Sequence, residues 1–166
     1  MGAERSPGTW VLLSYRMPRE PSTPRIAVWR KLKRLGVAQL SDGLVALPAD
    51  ARTREHLEWI ADEVMEHGGM AGIWLASPAT QAQERQLAES MAAARADEYR
   101  ALTAAAADAT DLPAAEQSRL STRLRADLRR ANRRDYFPPP EREEARAAID
   151  GLQSPVHSAG KGTAKR

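Results

Sequence analysis

Arg16, Arg19, Ser22, Thr23 and Arg25 fall within one short stretch of the chain, and side chains of those types suit the holding of a tetrahedral oxyanion. Guanidinium forks match the paired oxygens of such ions, hydroxyls donate to them, and the unpaired N–H groups at a helix start add partial positive charge. A free tetrahedral oxyanion and a DNA phosphate would be served alike. The competing account is local: Arg16 and Arg19 pair with Glu20 and other acids, while the hydroxyls merely cap.

A second group suits a phosphate chain rather than a single ion. It comprises Arg30, Lys31, Lys33 and Arg34, and further along Arg123, Arg125, Arg129, Arg130, Arg133 and Arg134. Arginine dominates the later run, which favours bidentate phosphate contacts. Base readout is not visible, although Leu112–Asn132 has the length for half of a helix-turn-helix. The competing account is again bland, two solvated helix faces.

Other chemistries find less to work with. No Gly-x-Ser-x-Gly turn occurs, the three histidines lack a triad context, and cysteine is absent, which removes disulfides, thiolate metal sites and a cysteine nucleophile. His56, Glu63 and His67 share a helix face, but His56 stands ~10 Å along the axis from Glu63. Only Glu63 and His67 are neighbours, and two such ligands make a poor metal site, so an i,i+4 pair on a solvated face is expected. We therefore name no catalytic residue, no metal ligand and no cofactor beyond an oxyanion effector.

The elements that must position these residues follow from pattern. Thr9–Tyr15 is rich in strand formers, and Pro18 and Pro21 end it. Thr23-Pro24 starts a helix whose apolar face is Ile26, Trp29 and Leu32 with Val28 and Leu35, and Gly36 closes it. Val37–Leu40 and Leu44–Leu47 flank Ser41-Asp42-Gly43, a hairpin signal. Arg52–His67, capped by Asp50 or Thr53, carries Leu57, Ile60, Ala61, Val64 and Met65 on one face. Met70–Ser77 is a fourth strand. The order is β-α-β-β-α-β, so the fold class is α+β, with a ferredoxin-like unit over 9–78.

After this unit the chain turns helical and alanine-rich over 79–152. Thr80 with Gln83 forms a capping box, a long helix carries Leu87, Met91, Ala94 and Leu102, and the next places Leu120, Leu124 and Leu128 at four-residue spacing. An antiparallel hairpin packed on the first unit is expected, and the leucine stripe is alternatively a homodimer seam. Tyr136-Phe137 before three prolines reads as a packing plug, Glu141–Gly151 as a short last helix, Met1–Gly8 as a flexible tail and 153–166 as a disordered basic tail.

The whole chain, 166 residues, carries a net charge of only +3. Its distribution says more: Arg16–Arg34 holds seven Arg or Lys and one acid, and Arg119–Arg134 seven Arg and one acid. Two cationic segments imply a polyanionic partner. No apolar run of membrane-spanning length occurs and the N-terminus lacks a leader pattern, so a cytoplasmic location is expected, with no membrane partner.

The run YRMPREPSTPRIAVWRKLKRLGVAQLSDGLVALP, together with RRDYFPPPER, resembles the N-terminal domain of the ChrB family of chromate-resistance proteins. The first half is more distantly similar to the ferredoxin-like module of PaaX-type repressors and the small CRISPR-adaptation nucleases. The resemblance implies a chromate-responsive transcriptional regulator that binds DNA. Longer members carry a further C-terminal region tied to chromate sensing, which leaves a stand-alone DNA-binding or interaction module as the alternative. A second alternative is a non-enzymatic protein whose helical hairpin docks an acidic partner. The nuclease relatives carry an aspartate at the end of the first strand for a divalent metal. Here that end reads Ser14-Tyr15-Arg16, and an arginine repels the cation, so no enzymatic activity is expected.

Overall fold

A computed structural model of the chain describes residues 8–152. Of the tails expected at Met1–Gly8 and 153–166, residues 1–7 and 153–166 lie outside the described residues. The elements are β1 (Trp10–Arg16), α1 (Ser22–Leu35), β2 (Ala38–Ser41), β3 (Leu44–Pro48), α2 (Ala51–Glu66), β4 (Met70–Ala76), α3 (Gln81–Asp108), α4 (Ala114–Arg133) and α5 (Glu141–Gly151). They fall into two compact units, one of residues 8–93 with Arg134–Phe137 and the other of Ala94–Arg133 with 138–152.

In the first unit the strands form one antiparallel sheet in the order β2-β3-β1-β4, the ferredoxin-like arrangement expected from the β-α-β-β-α-β pattern. Val11 pairs with Leu47 and Leu13 with Val45, so all four sit in register at the centre of the sheet. Each is buried, and Val28 and Leu32 of α1 and Leu57, Ile60, Ala61 and Val64 of α2 complete the same core. Successive strand residues alternate faces, so Trp10 points away from Val11. Phe137 stacks on it at 6.0 Å between ring centroids, and its Nε1–H donates to Glu84 at 3.1 Å. Tyr136 and Phe137 thus plug the first unit's core, as their composition implied.

Three local features hold this frame. The two-residue turn Asp42-Gly43 joins β2 to β3, with Gly43 at φ 74°; a Cβ there would stand 2.4 Å from the Tyr15 carbonyl oxygen. The Tyr15 N–H donates to the Gly43 carbonyl at 2.8 Å, which ties the hairpin tip to the end of β1. Asp50 caps α2 reciprocally with Thr53: its carboxylate accepts from the Thr53 N–H at 2.8 Å, and its own N–H donates to the Thr53 hydroxyl.

The structure corrects the first helix. It begins at Ser22, after Pro21, with no side-chain cap, so Thr23 does not do the capping expected of it. Only Val28 and Leu32, with Leu35 half-buried, turn inward, whereas Ile26 and Trp29 are 43% and 47% exposed. Met65 of α2 is likewise exposed.

In the second unit Tyr99, Ala106, Leu124, Leu128, Ala131, Ala145 and Ile149 form the core. The Tyr99 hydroxyl donates to Asn132 Oδ1 at 2.9 Å. Ala94, expected in the α3 stripe, is exposed; Ala96 and Tyr99 are buried instead. Leu124 and Leu128 are buried within this unit. Among the described residues, no helix is long and apolar enough to cross a membrane.

Candidate functional site

The end of β1, the first half of α1 and the β2–β3 turn surround an open cleft of about 780 Å³. Arg16, Arg25 and Arg30 line it, and none of the three is ion-paired among the described residues. Each comes from a different step of the backbone. Arg16 is the last residue of β1, Arg25 lies in the opening turns of α1, and Arg30 follows five residues later on the same helix. Of the residues expected to hold an anion, the structure thus brings Arg16 and Arg25 together, while Arg19, Ser22 and Thr23 do not line the cleft. Arg30, read from the sequence as a DNA contact, shares it instead.

The rest of the lining is chemically mixed. Met17, Ile26 and Trp29 supply apolar surface; Tyr15, Gln39 and Asp42 supply polar groups from β1 and the hairpin. Burial pushes the Tyr15 phenol above its ordinary value and the Asp42 carboxylate adds to the effect, so it stays a neutral donor at physiological pH. The Lys33 ammonium stands 4.3 Å from the centroid of the Trp29 ring, a cation–π contact that steadies the indole. Sequence reasoning missed Trp29 and Ile26 as site residues because their spacing also fits a core face. It missed the hairpin because its approach to Tyr15 is a tertiary contact.

The remaining cations of α1 divide. Lys31 pairs with Glu63 of α2, whereas Lys33 and Arg34 are exposed with no carboxylate partner among the described residues. On α4, Arg125 pairs with Asp150 at 3.0 Å and Arg130 with Asp127, while Arg123, Arg129 and Arg133 are exposed and without such partners among the described residues. A helical repeat of 100° per residue sets Arg129 and Arg133 on the side opposite the buried Leu124, Leu128 and Ala131, with Arg123 on the flank of that buried face. Arg134 lies beyond α4 and belongs to the first unit.

Around α2, a second and smaller cleft of about 310 Å³ is lined by His56, Trp59, Ile60 and Glu63 of that helix and Lys31, Arg34 and Leu35 of α1. Glu63 is engaged by Lys31, and the His56 ring lies 6.1 Å from Trp59. Among the described residues, no group of three His, Asp or Glu side chains is placed to hold a metal ion.

Comparison with known proteins places this frame. The family described as "Protein ChrB, N-terminal" matches residues 25–112, from Arg25 of α1 through α3. Protein ChrB of Cupriavidus metallidurans is 32% identical over 163 aligned residues, which cover 90% of this chain and 49% of that protein. The chain belongs to the ChrB family. It spans about half the length of that curated ChrB relative. No solved structure matches it. Within this ChrB-type frame the matched segment includes Arg25, Arg30 and the β2–β3 hairpin, whereas Arg16 lies before its first residue.

Proposed function

We propose that the chain is a ChrB-type regulatory protein of chromate resistance, which binds DNA through exposed cationic helices and responds to an oxyanion held near the start of α1. Its role is binding, with no catalytic step. The carrying observation is that α1 and α4 each keep cations in solvent free of carboxylate partners among the described residues: Arg30, Lys33 and Arg34 on one, Arg123, Arg129 and Arg133 on the other. Such charges are available to phosphates, and phosphate contact supplies the sequence-independent part of DNA affinity. The oxyanion reading draws support from Arg16, Arg25 and Arg30 around one cleft. The non-catalytic reading draws it from Arg16, a cation at the strand end where the resembling nucleases keep a metal-binding carboxylate.

The test is fluorescence anisotropy with a labelled duplex from the region upstream of the protein's own gene, titrated with chromate and, separately, sulfate. The reading predicts a saturable complex that chromate weakens. Absence of binding at low salt overturns DNA recognition, and a complex indifferent to chromate overturns the oxyanion control alone. Cleavage of the duplex in Mg²⁺ or Mn²⁺ would overturn the non-enzymatic role.

A further inference from the structure

The cleft between β1, α1 and the β2–β3 turn is larger and less polar than a bare oxyanion requires. At about 780 Å³ it falls in the range of sites for small organic molecules, roughly 300–1,000 Å³. Its cationic lining comes from Arg16, Arg25 and Arg30 and its apolar lining from Met17, Ile26 and Trp29, beside Tyr15, Gln39 and Asp42. Ile26 and Trp29 remain 43% and 47% exposed on a helix whose Val28 and Leu32 are fully covered. An isolated exposed apolar residue is ordinary, but two lining one cleft beside unpaired guanidiniums make a composite surface. A hydrated inorganic ion would leave the indole and the isoleucine in water. An aromatic body would cover them while its charged group meets the arginines.

We propose that this cleft binds a small organic anion, a planar aromatic body carrying a carboxylate or phosphate. The head is held by Arg16, Arg25 and Arg30, and the ring packs on Trp29 and Ile26. Lys33, already 4.3 Å from the indole centroid, keeps Trp29 in place for that contact. Gln39 and Asp42 at the hairpin side of the cleft accept hydrogen bonds from donors on the ligand's body, and the neutral Tyr15 hydroxyl donates to its oxygens. The inference rests on the anion-site reading above and deepens it by naming the ligand class.

Isothermal titration of the full chain with four probes tests it: 2-naphthoate, adenosine monophosphate, 2-naphthol and inorganic sulfate. The expected result is that 2-naphthoate or the nucleotide binds at least tenfold more tightly than both sulfate, which lacks the body, and 2-naphthol, which lacks the head. The two anionic probes distinguish a carboxylate head from a phosphate head. Trp29→Ala should remove that advantage while leaving sulfate affinity unchanged, and Arg25→Ala should weaken every anionic probe. Circular dichroism melts of both variants, whose changed side chains are exposed, report whether the fold is retained. Equal affinity for sulfate and both aromatic anions overturns the proposal but leaves the oxyanion reading standing. Survival of the aromatic advantage in Trp29→Ala also overturns it. Duplex affinity of the parent chain, measured separately, distinguishes this outcome from failure of the DNA reading.

Discussion

Single residues carry the frame of each unit. Asp50 is held below the usual carboxylate range, first by the Thr53 N–H. The unfolded chain therefore holds that proton more tightly than the folded one. The cap's contribution is complete above the ordinary Asp value near ~3.9, and it is lost as the pH falls through the lowered folded value. Asp50→Ala should cost about 1 kcal/mol in a urea melt near neutral pH, with the gap to the parent protein closing under strong acid. Gly43 presents the opposite case, a position where adding one atom is costly. A Cβ there meets the Tyr15 carbonyl oxygen at 2.4 Å, and φ is 74°. Gly43→Ala should destabilise by more than ~1 kcal/mol and, by pushing the hairpin from β1, alter anion binding in the cleft. In the second unit, Tyr99→Phe removes the hydroxyl bonded to Asn132, and a thermal melt should register a loss of about 1 kcal/mol.

At the level of elements, the pattern of the sequence was legible to within a residue or two. Every strand and helix of the ferredoxin-like unit appears where apolar spacing, Pro18, Pro21, Gly36 and the Asp-Gly pair place it. What the pattern did not resolve is which way α1 faces. Ile26, Trp29 and Lys33 form one i,i+3,i+4 row, and Val28, Leu32 and Leu35 form another. Both rows are apolar at the start, and only tertiary packing decides that the second is buried. The same ambiguity hid the cleft: Arg16 and Arg25 were readable as candidates for holding an anion, but Trp29 and the hairpin join them in one cleft only through the fold. On α3 a single stripe could not describe a helix whose Met91 serves one core and whose Tyr99 serves another. The cations of α1 yield a prediction at this scale. Arg30→Ala with Arg34→Ala should weaken duplex binding across all sequences, leave the melting temperature unchanged, and lower the salt slope by about one per arginine.

For the molecule as a whole, the proposed DNA contact rests on charge that the chain itself leaves unneutralised. Lys31, Arg125 and Arg130 are engaged by Glu63, Asp150 and Asp127, so counting basic residues overstates what a polyanion can reach. The cations that remain, Arg30, Lys33 and Arg34 on α1 and Arg123, Arg129 and Arg133 on α4, are the ones the proposal requires. A duplex that touches them must displace counterions, and displaced counterions make affinity depend on salt in a calculable way. The decisive measurement is the dissociation constant of a DNA duplex over a range of salt concentrations, for the parent chain and for Arg123→Ala/Arg129→Ala/Arg133→Ala. A steep log–log dependence, reduced by about three in the triple variant, is the predicted result. A flat dependence, or a slope the triple variant does not change, would contradict the assignment of these arginines to phosphate.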